Sequence, residues 1–147
     1  MNGFDGDATF RSTRRLKQTP RVVFGAFADG QTLARWWGPN GFRSTFQVFE
    51  FRSGGRWSFV MHGPDGKNYP NETVFEVVEP TKLVLRHSAP DYRLTITMSA
   101  TPTGTDLTWE QRFDNPKTSA GIAHIVGPAN EQNLDRLEEV VSGLPTS

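Results

Sequence analysis

Three histidines, His62, His87 and His124, are the side chains of this chain best suited to move protons near neutral pH. No two of them have the short spacing of a metal-binding pair, so we expect no metal site. One interpretation is a general base, with His87 facing a cavity and His124 on a helix beside it. The other, which we favour, is a hydrogen-bonded histidine inside the fold or at its rim.

Carboxylates with acid–base potential are Glu72, Glu76 and Glu110. Strand alternation predicts that Glu76 and Glu110 point to water, which argues against a paired acid–base arrangement. The sequence has no Gly-x-Ser-x-Gly elbow for nucleophilic hydrolysis. The turn at Gly54-Gly55 lacks the lysine of a phosphate-binding loop. We therefore expect no cofactor, and the catalytic residues of an enzyme stay unknown.

Aromatic side chains are abundant, with 11 Phe and 4 Trp in 147 residues. Trp36 and Trp37 stand next to each other just before Gly38-Pro39, where a helix is predicted to end. An indole buries a large apolar surface, and its N–H needs a partner once it leaves water. The pair is therefore predicted either to fill the core or to form a wall of a pocket.

We expect a pocket with an apolar lining and a few amides. Its predicted apolar residues are Trp36, Trp37, Phe42, Phe59, Met61, Phe75, Leu85, Leu94, Ile96, Trp109 and Phe113. Its predicted polar residues are Asn71, Thr73, His87, Gln111, His124, Asn130 and Asn133. A buried amide without a partner costs about 1–3 kcal/mol, so these amides should bind each other, water or a ligand. The alternative is that the apolar residues simply fill a core.

Hydrophobic periodicity predicts one strand, two short helices, six strands and one long C-terminal helix. The first helix begins at Thr19-Pro20, and Asp29 caps the second. The predicted strands are residues 8–17, 44–51, 56–62, 69–79, 83–88, 92–101 and 106–113. In the C-terminal helix Pro128 is predicted in the first turn, after a separate or kinked helical segment at 120–126. Residues 1–7 are expected to be a flexible N-terminus and 144–147 a tail.

One register is also predicted. If Phe75 and Val77 face inward, Leu85 and His87 should face inward opposite them. That pairing requires a bulge or an odd loop around residues 80–82. Six consecutive antiparallel strands must twist, and a curved sheet that packs on a long amphipathic helix buries both apolar faces. The predicted fold class is therefore α+β, with a cavity of about 300–1,000 Å³ between helix and sheet.

The length, composition and net charge of the chain set limits on its function. The chain has the length of one domain, here residues 8–143. Sixteen basic residues balance 16 acidic ones, which gives no basic footprint for nucleic acid. Cysteine is absent, so disulfides are excluded. No signal peptide or membrane-length apolar run is present, and a soluble cytoplasmic domain without a membrane span is expected.

The element order resembles the helix-grip (START-like, SRPBCC, Bet v 1-like) superfamily of lipid-transfer domains, polyketide cyclases and plant ligand-binding proteins. Within it the motifs resemble the family of the activator of the ninety-kilodalton heat-shock-protein ATPase, across residues 8–143. The matching residues are Pro20-Arg21-Val22-Val23-Phe24, Leu33-Ala34-Arg35-Trp36-Trp37-Gly38-Pro39 with Gly41-Phe42, Gly54-Gly55-Arg56-Trp57, Gly63-Pro64-Asp65-Gly66, Glu79-Pro80 with Leu83, and Asn133-Leu134-Asp135-Arg136-Leu137. The resemblance implies a helix-grip fold, whereas function varies widely within such a fold.

Three functions follow as hypotheses. The first is binding of a small apolar, aromatic or lipid-like molecule between the C-terminal helix and the sheet. The second is an enzyme of cyclase or hydrolase type that uses the same cavity. The third is an interaction module that binds a chaperone or a second copy of the chain, with a homodimer formed through an exposed strand edge. The eukaryotic activator depends largely on an additional N-terminal domain, for which this chain has no room, so we do not expect chaperone activation.

Overall fold

The computed structural model describes residues 3–4 and 8–147. Three helices and eight strands follow one another along the chain. They are β1 (Gly3–Phe4), β2 (Thr9–Leu16), α1 (Pro20–Ala28), α2 (Gly30–Trp36), β3 (Arg43–Phe49), β4 (Arg56–His62), β5 (Asn68–Glu79), β6 (Lys82–His87), β7 (Tyr92–Thr101), β8 (Gly104–Phe113) and α3 (Pro116–Ser142). The expectation of a flexible N-terminus falls partly on residues 1–2 and 5–7, which lie outside the described residues.

All eight strands form one antiparallel sheet in the order β1-β2-β8-β7-β6-β5-β4-β3. The predicted order of one strand, two helices, six strands and a long helix is confirmed, and the two-residue β1 is added beside β2. The first long strand thus returns to pair with the last one. The helices α1, α2 and α3 pack against one another, and each packs against strands of this sheet. This is the helix-grip arrangement that the sequence predicted.

The two short helices begin where the sequence predicted. Thr19 is the N-cap of α1, and Pro20 occupies its first turn. Asp29 is the N-cap of α2, but its carboxylate accepts a hydrogen bond from the Thr32 hydroxyl at 2.6 Å instead of one from a backbone N–H. Val23 and Phe27 bury the apolar face of α1 in the core. The helices are therefore held mainly by packing, as is usual for short helices.

The register between β5 and β6 differs in one detail from the prediction. Phe75 pairs with Leu85, and both are buried as expected. The bulge lies between Phe75 and Val77 rather than at residues 80–82. It moves every following side chain to the opposite face. Val78 therefore packs against the core, and the prediction that Val77 faces inward is wrong.

The C-terminal helix is one continuous element. It runs from Pro116 to Ser142 with Pro128 inside, so the predicted first-turn position of Pro128 is wrong. The helix begins 12 residues earlier because the Asn115 side chain accepts a hydrogen bond from the Lys117 N–H at 2.9 Å and a proline follows at the first position. A proline inside a helix removes one backbone donor, and tertiary packing on both sides of it offsets that loss.

Charged side chains fix α3 against β2. The Arg14 guanidinium lies 3.0 Å from Glu131, 2.8 Å from Asp135 and 3.2 Å from Glu138. These carboxylates follow one another at four- and three-residue spacing, so they share one face of the helix. Only 17% of the Arg14 side chain is exposed, which limits the screening of these ion pairs by solvent. The ion pairs set the position of the helix across the sheet.

Within the described part of the chain, no helix is long and apolar enough to cross a bilayer.

Candidate functional site

The Trp-Trp-Gly-Pro segment forms the corner at which α2 ends. Trp36 is the last residue of the helix, and its indole N–H donates to the carbonyl of Ala26 at 3.0 Å. Trp37 caps the helix with extended backbone. Gly38 follows with φ of +100°, a conformation that L-residues with a side chain rarely adopt. The corner, as predicted, delivers two indoles into the interior.

Helix α3 holds this corner through side-chain amides. The Asn133 Oδ1 atom accepts a hydrogen bond from the Gly38 N–H at 3.1 Å. The preceding residue of the helix, Gln132, accepts a hydrogen bond at its Oε1 from the Asn40 N–H at 3.1 Å. Both amides therefore supply acceptors to backbone N–H groups that lie beyond the end of α2.

Arg136 makes the largest set of contacts to the corner. Its guanidinium donates to the carbonyls of Arg35, Gly38 and Pro39 at 3.0 Å each and to that of Trp37 at 3.3 Å. Burial lowers the pKa of Arg136 below its ordinary value, but an arginine remains charged at neutral pH. The family motif at residues 133–137 includes this residue, but its role at the corner was not predicted. Its position between Leu134 and Leu137, which belong to the apolar stripe of the helix, was the sequence feature that could have indicated this role.

Aromatic rings fill most of the space that the sequence predicted as a hollow. The Trp37 ring lies 5.6 Å from Trp36, 4.9 Å from Trp57 and 5.5 Å from Trp109. Trp57 in turn stacks on Phe75 at 5.6 Å with the ring planes 4° apart. Such stacked and edge-on contacts leave little space between the rings. The alternative that these residues fill a core holds for most of them.

A pocket of about 110 Å³ remains between the corner, the sheet and α3. It is smaller than the predicted 300–1,000 Å³, because the interlocked rings occupy the difference. The residues that line it are Trp37, Gly38, Pro39, Met61, Asn71, Tyr92, Leu94, Trp109, Gln111, Ala129, Asn130 and Asn133. None of these side chains carries a charge at neutral pH.

Eight of the predicted residues border this pocket. They are Trp37, Met61, Asn71, Leu94, Trp109, Gln111, Asn130 and Asn133. Four lining residues were missed, namely Gly38, Pro39, Tyr92 and Ala129. Tyr92 was detectable, because it stands two residues before Leu94 and strand alternation places both on the same face. Ala129 gave no signal, since a small residue beside Pro128 is typical of many helical positions.

The other predicted residues lie elsewhere. They are Trp36, Phe42, Phe59, Thr73, Phe75, Leu85, His87, Ile96, Phe113 and His124. Five of them, Trp36, Phe59, Phe75, Leu85 and Ile96, are buried in the main core, and Thr73 and His87 are buried polar residues. Phe113 belongs to a second cluster with Ala8 and Phe10, on the far side of Tyr92. Phe42 is half-buried with its ring 5.9 Å from that of Tyr69, and His124 is exposed on α3.

His87 supports the lining from behind. Its Nδ1 lies 2.9 Å from the carbonyl oxygen of Pro90, which can only accept, so this nitrogen donates. Its Nε2 lies 2.7 Å from the end of the Asn71 side-chain amide, and in the neutral ring it accepts from the NH₂ group of that amide. The ring stacks on Tyr92 at 4.5 Å with the planes 7° apart. Both nitrogens are engaged, so His87 fixes Asn71 and Tyr92 instead of meeting a molecule in the pocket.

The protonation of His87 predicts a pH dependence of stability. Burial lowers its pKa, against the raising effects of the Pro90 hydrogen bond and the Asp91 charge. The native state thus binds this proton less readily than the unfolded chain does. Its stabilising contribution is complete above the ordinary pKa of about 6.5 and is lost as the pH falls towards the lower native pKa.

We expect the free energy of unfolding to fall between about pH 7 and pH 5.5, with a slope of at most about 1.4 kcal/mol per pH unit from this residue. Urea denaturation of wild type and His87→Gln across this range measures the slope. The His124→Gln variant is the control, because it removes a histidine from an exposed position of α3 and leaves His87 in place. Equal slopes for wild type and His87→Gln would contradict this assignment.

Carboxylates take no part in the pocket. Glu76 binds Arg93 at 2.6 Å and Glu110 binds Arg11 at 2.7 Å, both outside the pocket lining. Glu72 is exposed and accepts a hydrogen bond from the Ser58 hydroxyl. Over the described residues, no group of three or more histidines and carboxylates could hold a metal ion. The pocket is therefore suited to binding through shape and neutral hydrogen bonds.

The family model described as Activator of Hsp90 ATPase homolog 1-like protein matches residues 17–142 of the chain. In contrast, no curated protein sequence matches this chain.

Solved structures match almost the whole chain. A protein from Arthrobacter aurescens has a TM-score of 0.88 at 21% identity, over 95% of this chain and 90% of that one. A protein from Nitrosomonas europaea has a TM-score of 0.85 at 20% identity, over 95% and 97% of the two chains. The AHSA1 protein from Silicibacter pomeroyi has a TM-score of 0.74 at 21% identity, over 92% and 98%. At sequence identities this low, the structural similarity establishes a shared fold and nothing further.

Proposed function

Because this chain belongs to the Activator of Hsp90 ATPase homolog 1-like family and has its helix-grip fold, we propose that it binds a small molecule in the pocket between α3 and the sheet. The observation that supports this most is the lining itself. Apolar rings and amides meet there around a space that no side chain of the described residues fills. Binding pockets typically combine such apolar walls with a few polar groups that orient the ligand.

The size of the pocket limits the ligand. An engineered apolar cavity of about 150 Å³ is known to hold benzene. A pocket of about 110 Å³ therefore suits a molecule with a single small ring. A lipid chain would need α3 or the corner to move, and Arg136 and Asn133 hold the two together. The proposal is accordingly a small cyclic or aromatic ligand rather than a lipid.

The lining favours binding over catalysis. Tyr92 is its one titratable side chain, and burial raises the Tyr92 pKa far above neutral pH. General acid–base catalysis is most effective with a group whose pKa lies near the working pH. His87 has that chemistry, but its ring nitrogens are bound to Pro90 and Asn71. The pocket thus supports holding a molecule, and the chaperone activation in the family's name forms no part of the proposal.

Thermal melts with a panel of five- and six-membered ring compounds test this function. A ligand at ten times its dissociation constant stabilises the native state by about 1.4 kcal/mol, which raises the melting temperature by about 3–5 °C. Ala129→Phe should abolish the shift, because Ala129 lines the pocket and a phenyl ring there occupies it. Ala120→Phe is the matched control on the same helix, at an exposed position. A panel without any stabilising compound, or equal shifts in Ala129→Phe, would contradict the function.

A further inference from the structure

His87 and Asn71 form a short hydrogen-bond chain between two backbone carbonyls. At one end, His87 Nδ1 lies 2.9 Å from the carbonyl oxygen of Pro90. At the other end, Asn71 Nδ2 lies 2.9 Å from the carbonyl oxygen of Tyr69. Between them, His87 Nε2 lies 2.7 Å from Asn71 Oδ1. Backbone carbonyls can only accept, so the two side chains have to supply a donor at each end of the chain.

The number of protons on His87 determines whether this chain is complete. A doubly protonated ring donates from Nδ1 to Pro90 and from Nε2 to Asn71 Oδ1, and the Asn71 NH₂ group donates to Tyr69. Every contact then joins a donor to an acceptor. A neutral ring that keeps its proton on Nδ1 has a lone pair on Nε2. In that state Asn71 Oδ1 would face a second acceptor, which is unfavourable.

The Asn71 amide is the part of the chain that can adjust. The carbonyls of Pro90 and Tyr69 belong to the main chain, and His87 is 6% exposed with its ring stacked on Tyr92 at 4.5 Å. A half turn of the amide about its Cβ–Cγ bond exchanges its nitrogen and its oxygen. The NH₂ group then donates to the neutral His87 ring. The contact to Tyr69 lies at the exposed end of the chain, where water can replace the lost hydrogen bond.

The surroundings of His87 place this proton in the acidic range. Burial lowers the pKa of His87, whereas the hydrogen bond to Pro90 and the charge of Asp91 raise it. Asp91 is the one charged group of the described chain that acts on the ring. The residues that pair with His87 on the neighbouring strands, Thr73 and Tyr92, are uncharged at neutral pH. The ring is therefore neutral at neutral pH and takes up its second proton as the pH falls.

We propose that His87 and Asn71 form a proton-driven switch in the wall of the pocket, in which protonation of His87 turns the Asn71 amide over. Asn71 lines the pocket, so the turn exchanges a donor and an acceptor at that wall. A bound molecule that contacts this amide gains or loses one hydrogen bond, and its affinity should change about three- to tenfold. Only this change of affinity rests on the proposed function, because the switch itself requires no ligand.

NMR spectroscopy of the ligand-free protein tests the switch. At about pH 8 we expect nuclear Overhauser effects between the Asn71 NH₂ protons and the two carbon-bound ring protons of His87. At about pH 5 these effects should weaken, with the same midpoint as the nitrogen-15 shifts of the His87 ring. Unchanged effects across the titration of His87 would overturn the proposal. A ring that keeps one protonation state over this range would overturn it as well.

Variants of Asn71 connect the switch to the pocket. Phenol, a neutral six-membered ring compound, is the probe, and its affinity is measured by titration at about pH 8 and about pH 5. We expect a change of about three- to tenfold in wild type and of less than about twofold in Asn71→Ala, which has no amide to turn. Asn68→Ala is the control, because Asn68 lies on the same strand, outside the pocket lining, and should leave the wild-type change intact.

The outcomes separate the two proposals. Equal pH dependence in wild type and Asn71→Ala would contradict the role of the amide in the pocket wall and leave the proposed function standing. Binding of phenol at neither pH would count against the proposed function, and the nuclear Overhauser effects of the ligand-free protein then settle the switch by themselves.

Discussion

Replacement of Arg136 by methionine should lower the free energy of unfolding by about 2–4 kcal/mol, because several backbone carbonyls of the corner lose their hydrogen-bond donor. The guanidinium binds the carbonyls of Arg35, Trp37, Gly38 and Pro39. Methionine keeps much of the packing and leaves these carbonyls without their donor. Because the same carbonyls shape the pocket, ligand binding should also be lost. Chemical denaturation measures the first effect and ligand titration the second.

Two further variants serve as comparisons for Arg136→Met. Arg15→Met makes the same change at a side chain that is 92% exposed, and it should alter the stability by less than about 0.5 kcal/mol. Arg136→Lys should recover only part of the loss, because an ammonium group cannot reach several carbonyls as the planar guanidinium does. If Arg136→Met is as stable as Arg15→Met, the corner is held by packing alone and this account of it is wrong.

The second large effect concerns the glycine of the corner. We expect Gly38→Ala to destabilise the protein by about 2–3 kcal/mol, mainly from backbone strain at positive φ and to a smaller extent from crowding of Met61 and Phe42. Gly38 has φ of +100°, and a Cβ atom there would lie 2.6 Å from Cε of Met61 and 3.2 Å from Cβ of Phe42. Met61 lines the pocket, so its displacement should also abolish binding. Denaturation and titration of the variant test both statements.

Gly54→Ala is the matched control for this strain. Gly54 has φ of +86°, and nothing lies within 4 Å of the position of its Cβ. It therefore carries the backbone cost without the crowding, and we expect about 1–2 kcal/mol of destabilisation and normal ligand binding. Equal losses in the two variants would mean that contact with Met61 contributes nothing. Unchanged binding in Gly38→Ala would contradict the place of the corner in the pocket wall.

Local signals in the sequence accounted for most of the fold. The β7 strand was predicted at residues 92–101, as observed, because apolar and polar residues alternate there without interruption. The errors arose where local signals were not sufficient. The start of α3 was predicted at Pro128, whereas the helix begins at Pro116 after the Asn115 cap and continues through Pro128 because tertiary packing supports it. The bulge after Phe75 likewise depends on both neighbouring strands, which a single-strand pattern does not encode.

The pocket was harder to predict than the fold. The pattern of inward positions correctly brought Trp37, Leu94, Trp109 and Asn133 to one place. Its volume is set by how large rings from different elements interlock, and that depends on rotamers rather than on spacing. The role of His87 was also a matter of tertiary detail. Its inward position was predicted, but its hydrogen bonds to Pro90 and Asn71 turn it from a candidate base into a support.

The most direct test of ligand binding between α3 and the sheet is the position of a bound molecule. Intermolecular nuclear Overhauser effects between a stabilising ring compound of the thermal-melt panel and the labelled protein provide it. Binding at this place predicts contacts to the methyl groups of Leu94 and the ring protons of Tyr92, which line the pocket. Contacts confined to exposed apolar side chains such as Ile125 or Val74 would contradict it.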